Sequence, residues 1–60
     1  MSPLQFVRRE RITRAQQLIR ETSRSVIEIG LEVGYTSPSH FAQVFRRVVG
    51  VAPTEFRIGL

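Results

Sequence analysis

Cysteine, tryptophan, lysine and aspartate are all absent from this chain. Without cysteine there is no disulfide and no thiolate metal site. His40 is the lone histidine. It has no second histidine to share a metal with and no aspartate to orient it, and the serines show no nucleophile context. No catalytic residue, metal or cofactor is therefore expected. Long apolar runs are missing too, since no stretch approaches the roughly 20 residues of a membrane span. The Met1-Ser2-Pro3 start turns polar at once and is not a signal peptide. These absences point to the cytoplasm, with no membrane partner. No repeat, linker or low-complexity tract breaks the chain. Its 60 residues allow one small domain, and a domain of this size buries only about 60% of its unfolded surface.

What is present is positive charge. Nine basic residues stand against five acidic, for a net charge of +4. Every basic residue is Arg and every acidic one is Glu. Such an excess favours a polyanionic partner over a surface that is merely solvated.

Helical signals fill the rest. Ser2-Pro3 combines a capping residue with a proline suited to the first helical position. Leu4, Val7, Ile12, Ala15, Leu18 and Ile19 then recur at helical spacing. The pattern predicts a helix over about 3–21, broken at Thr22-Ser23-Arg24. Ser25 and Glu28 have capping-box spacing and open a second helix running to about Val33. Ile29 and Val33 form its inward stripe, helped by Val26, and Gly30 is small enough to admit a neighbouring helix. Gly34-Tyr35-Thr36 is a turn, with Gly34 suited to a positive φ. Ser37-Pro38 starts a third helix that runs to about Val49, with Gly50 as its C-cap. Pro53 opens a short last helix to about Ile58. Ala52 precedes it without a capping group, so this end should fray first. The expectation is an all-α, homeodomain-like three-helix unit, 25–49 forming a helix-turn-helix, with a short fourth helix.

Three spaced runs sharpen this: VIEIGLEVGY over 26–35, SHFAQVFRR over 39–47 and GVAPTEFR over 50–57. With Arg11-Ile12, Ala15 and Leu18-Ile19 upstream, they closely resemble the AraC/XylS family of bacterial transcription regulators. The resemblance covers about Phe6 to Arg57. It implies the linker helix and second helix-turn-helix of a domain whose first helix-turn-helix and effector domain lie elsewhere. It also implies double-stranded DNA as partner. Gly30 stands where the family usually has Ala, and Ala52 where it usually has a capping residue. Both departures are expected to lower stability.

On a wheel of the third helix, Phe41, Ala42, Phe45, Val48 and Val49 gather on one side, and His40, Gln43 and Arg47 on the other, flanked by Ser39 and Arg46. A helix dry on one face and polar on the other fits a major groove. Its N-terminal residues Ser39, His40 and Gln43 are expected at base edges, the positions to which the family resemblance also points. Arg46 and Arg47 are expected at phosphates, with Arg47 also within reach of a guanine. Ser37 and the helix N-terminus are expected to hold a phosphate. Phe41 and Phe45, with Ile29, Val33, Tyr35, Val49 and Phe56, read as core, against the alternative of a base-stacking platform. Leu18 and Ile19 should pack across the helix-turn-helix, while Leu4 and Phe6 should be exposed. Arg11, inside the apolar stripe, reads as a structural arginine whose head meets a carboxylate or a helix end. Arg8, Arg9, Arg14 and Arg20 are expected to be solvated, one or two of them near phosphate. The competing readings are a protein-interaction fragment docking on polymerase or the missing half-domain, and an amphipathic helix on a membrane surface. The latter fits poorly, because 3–21 lacks Trp and Lys and its stripe is needed by the core.

Overall fold

A computed structural model describes residues 2–59; Met1 and Leu60, the ends of the single unit expected over 1–60, lie outside them. Four helices and no strand make up the described residues: α1 (Pro3–Glu21), α2 (Val26–Glu32), α3 (Pro38–Val49) and α4 (Pro53–Arg57). The fold is all-α, and α1 packs against each of the other three helices.

Local chemistry sets the element ends. At α1 the Ser2 hydroxyl accepts the Gln5 N–H at 3.2 Å while the Gln5 side chain accepts the Ser2 N–H, a complete capping box. At α2 the box expected from Ser25 and Glu28 is only half formed. The Ser25 hydroxyl accepts the Glu28 N–H at 3.1 Å. The Glu28 carboxylate does not reach back to the Ser25 backbone. It accepts the Ser25 hydroxyl instead and lies 3.9 Å from Arg24 Nε. α2 ends in a Schellman motif: the Tyr35 N–H donates to the Gly30 carbonyl, the Gly34 N–H donates to that of Leu31, and Gly34 takes φ +111°. That turn aims α3 across α2. α3 closes on Gly50 at φ +101°, whose N–H donates to the Arg46 carbonyl. Ala52 offers no side-chain acceptor, but the Glu55 carboxylate takes the Ala52 N–H at 3.0 Å, so α4 has half a cap.

The core is one cluster drawn from α1, α2, the turn and α3: Ile12, Ala15, Ile19, Ile29, Val33, Tyr35, Phe41, Val44 and Phe45. Leu18, Val26, Val49 and Phe56 pack around it. The rings run in sequence, Tyr35 to Phe41 at 5.6 Å, Phe41 to Phe45 at 5.8 Å and Phe45 to Phe56 at 5.6 Å between centroids. This disposes of the stacking-platform alternative, since Phe41 and Phe45 are 1% and 0% exposed. Gly30 lies against the Phe41 ring, and a Cβ there would sit 2.8 Å from it. The helix propensity given up at Gly30 is thus offset by close packing of α2 on α3.

Two expectations about the stripes need correction. Val48, expected on the dry face of α3, is 42% exposed, whereas Val44 is only 8% exposed and belongs to the core. On α1, Val7 is exposed together with Leu4 and Phe6, so the dry stripe stops at Ile12. One physical reason covers both. At 1.5 Å per residue α1 is about 28 Å long, while the unit spans only 31 × 21 × 20 Å. The first turns of α1 therefore run past the shorter helices, and Val48 sits beside them where the core has ended.

Candidate nucleic-acid interface

α3 presents two opposed faces. Phe41, Val44 and Phe45 point into the core, while Ser39, His40, Gln43, Arg46 and Arg47 are exposed. The aromatic anchors thus fix the helix's rotation and aim the polar set outward. His40 is the most constrained of that set. Its backbone N–H donates to the Ser37 hydroxyl at 3.3 Å, and its ring meets Tyr35 edge-on at 5.4 Å between centroids. Ser37 is occupied as the N-cap acceptor, yet its own O–H stays available to donate, as a phosphate contact needs. Tyr35 is held from another side by Arg11, whose guanidinium lies 5.5 Å from the ring centroid. Arg11 also lies against Gly34 at the C-terminal turn of α2, where the helix dipole favours a cation. Its head therefore meets an aromatic face and a helix end, and no carboxylate among the described residues.

His40, Gln43, Arg46 and Arg47 line one shallow groove of about 510 Å³, floored by Val44 and walled by Arg8 of α1. The groove continues along α1 as a space of about 270 Å³ between Gln5, Arg8 and Arg9 on one side and Arg47 and Val48 on the other. Arg8 was expected to be solvated; it is half-buried. Sequence reasoning grouped it with Arg9, Arg14 and Arg20, one or two of them near phosphate, without singling it out, although its spacing to Ile12, Ala15 and Ile19 was the available signal. Arg20 is exposed, as expected, and its guanidinium lies 5.5 Å from the centroid of Phe56.

Charge on this unit is segregated. The ion pairs among the described residues both belong to Arg24, which meets Glu32 at 2.7 Å and Glu28 at 3.9 Å, and none of these three lines the α3 groove. Arg8, Arg9, Arg46 and Arg47 have no carboxylate within ion-pair distance among those residues. Nor do the described residues hold a cluster of three His, Cys, Asp or Glu able to bind a metal ion. Among the described residues no helix is long and apolar enough to cross a membrane.

Comparison with known proteins agrees with this geometry. A family model described as a helix-turn-helix domain matches residues 1–58. The chain belongs to the AraC-type helix-turn-helix family. It is 42% identical over 55 residues to the HTH-type transcriptional regulator ArgR of Pseudomonas aeruginosa, covering 92% of this chain and 17% of that protein. It is 37% identical over 57 residues to the HTH-type transcriptional activator RhaR of Mannheimia succiniciproducens, covering 95% of this chain and 21% of the activator. With GbdR of Pseudomonas aeruginosa, another HTH-type regulator, identity is 36% over 58 residues, 97% of this chain and 16% of that one. The chain thus spans about a fifth of the length of these relatives. No solved structure matches it. The chain is a DNA-binding module of the kind that bacterial transcription regulators carry.

Proposed function

We propose that α3 enters the major groove of duplex DNA, with Ser39, His40 and Gln43 against base edges and Ser37, Arg46 and Arg47 against phosphates. One observation carries this reading: Ser39, His40, Gln43, Arg46 and Arg47 stand exposed together opposite the buried face of α3, and its arginines have no carboxylate among the described residues to neutralise them. A helix about 10–12 Å across fits a major groove about 12 Å wide. Gln43 can pair bidentately with adenine, and the His40 ring, steadied by Tyr35, can donate to a guanine acceptor. Binding is then the whole of the chain's work, with no chemical step, and it takes place in the cytoplasm where the chromosome is.

The test uses a duplex that the wild-type chain selects from a random-sequence pool. Gln43→Ala should cost about 1–3 kcal/mol at that duplex and relax preference at one base pair. Arg46→Ala should weaken all duplexes alike and reduce the salt slope by about one. Unchanged base preference in Gln43→Ala would remove Gln43 from the reading set.

A second reading runs beside the first. Leu4 and Phe6 are 68% and 57% exposed at the projecting end of α1. That apolar end suits protein docking, with the first helix-turn-helix unit of a longer regulator as the occupant we favour and RNA polymerase as the other. Apolar docking would change little with salt, whereas DNA binding falls steeply.

A further inference from the structure

The inward stripe of α1 is Ile12, Ala15 and Ile19, all buried. Carried back by one more helical step of four residues, the stripe arrives at Arg8. A guanidinium therefore occupies the place where the next core residue would stand. It is half-buried there and lines both stretches of the groove between α1 and α3. Arg47 lines both stretches as well. Arg9 stands beside Arg8, and Arg46 beside Arg47. Two helices thus bring like charges to one concave strip, and no carboxylate of the described residues pairs with them. By contrast Arg24, which does not line the groove, is matched by two glutamates. A strip that gathers guanidiniums and excludes carboxylates suits an anion with several acceptor oxygens.

We propose that Arg8 and Arg47 form a clamp for a DNA phosphodiester, supplied jointly by α1 and α3. The inference rests on the placement of α3 argued above and extends the interface to a helix outside the helix-turn-helix. A helix that fills the major groove brings the phosphates on the groove's rim alongside whatever flanks it. α1 flanks α3, and Arg8 is its residue in the cleft. The guanidinium fork grips phosphate oxygens bidentately, and its stem, lying over the end of the core, holds it in position. The clamp fixes how the module sits on the duplex and carries no base information.

The experiment measures affinity over a salt series for Arg8→Gln, Arg8→Lys and wild type. The probes are the selected duplex and an unrelated duplex of equal length, and thermal unfolding is recorded in parallel. Arg8→Gln should weaken both duplexes by the same factor and flatten the salt slope by about 0.9, the share of one phosphate. Arg8→Lys should keep the wild-type slope, because the charge remains. The selected base preference should survive in both variants. Wild-type affinity and slope in Arg8→Gln would overturn the clamp. So would an equal loss in Arg8→Lys and Arg8→Gln with the slope unchanged, which marks a purely structural residue. If Gln43→Ala relaxes base preference while Arg8→Gln is silent, the clamp alone falls. If wild type binds no duplex in a salt-dependent way, the placement of α3 falls with it.

Discussion

Phe45 is the residue on which the largest change in stability should turn. It is fully buried, packs edge-to-face on Phe41 and on Phe56, and so joins α3 to α4. Truncating a buried Phe to Ala removes the transfer free energy of the ring and leaves a cavity, together about 3–5 kcal/mol. Set against this, the stability expected of 60 residues at about 0.05–0.15 kcal/mol each is only about 3–9 kcal/mol. Phe45→Ala should therefore leave a large fraction of the chain unfolded at room temperature. Phe45→Leu, which keeps most of the volume, should cost about 1 kcal/mol and lower the midpoint by about 4–8 °C. Helical circular dichroism followed through thermal and urea unfolding reads both variants. The reasoning is refuted if Phe45→Ala keeps the wild-type midpoint while losing DNA affinity. That is the behaviour of a solvent-facing stacking platform, whose loss is felt only by bases.

Ala52 sits at the N-cap of α4 in extended geometry, and Glu55 already accepts its N–H. Ala52→Ser should complete the capping box and stabilise the unit by about 1 kcal/mol, seen as a higher midpoint and slower amide exchange over Pro53–Arg57. Gly50 stands at φ +101° with nothing within 4 Å of where a Cβ would be, so the effect of Gly50→Ala is backbone strain alone, a loss of about 1–2 kcal/mol. Gly50→Asn should lose less in the same urea titration, because Asn tolerates the left-handed region better.

Helix identity and order were legible because each helix carries its own punctuation. Ser-Pro opens α1 and α3, and Gly34 and Gly50 sit in the left-handed geometry that ends α2 and α3. Such signals act within a few residues and need no tertiary knowledge. The misjudged features all depend on where the packing partner ends. Val48 and Val44 are both apolar and one helical turn apart, so spacing cannot say which faces the core. The outcome follows from α1, whose last inward hydrophobe is Ile12 and whose next inward residue is Arg8. Glu28 was misread similarly. Its spacing from Ser25 permits a reciprocal cap, but Arg24 competes for the same carboxylate and draws it outward. The candidate interface was half legible: amphipathicity separates His40, Gln43 and Arg47 from Phe41 and Phe45, but the α1 wall of the groove is a contact between distant parts of the chain.

That wall changes how the arginines are to be understood. Composition alone gives a net +4 and treats all nine as one pool. The fold divides eight of them by partner, Arg14 standing exposed outside both sets. Arg24 is neutralised by glutamates, Arg11 and Arg20 lie over aromatic rings, and the Arg57 Nη2 donates to the Thr22 carbonyl at 3.4 Å. These four tie helices and turns together, and α1 is held at Tyr35 and at Phe56 by its own arginines. Arg8, Arg9, Arg46 and Arg47 share one cleft without such partners. Replacing an arginine of the first set should therefore register as stability, with DNA affinity falling only as far as the folded fraction falls. Replacing one of the second set should register as a salt-dependent loss of affinity at constant stability. A helix-turn-helix this small can hold its shape and still present charge, because the two duties fall on different arginines.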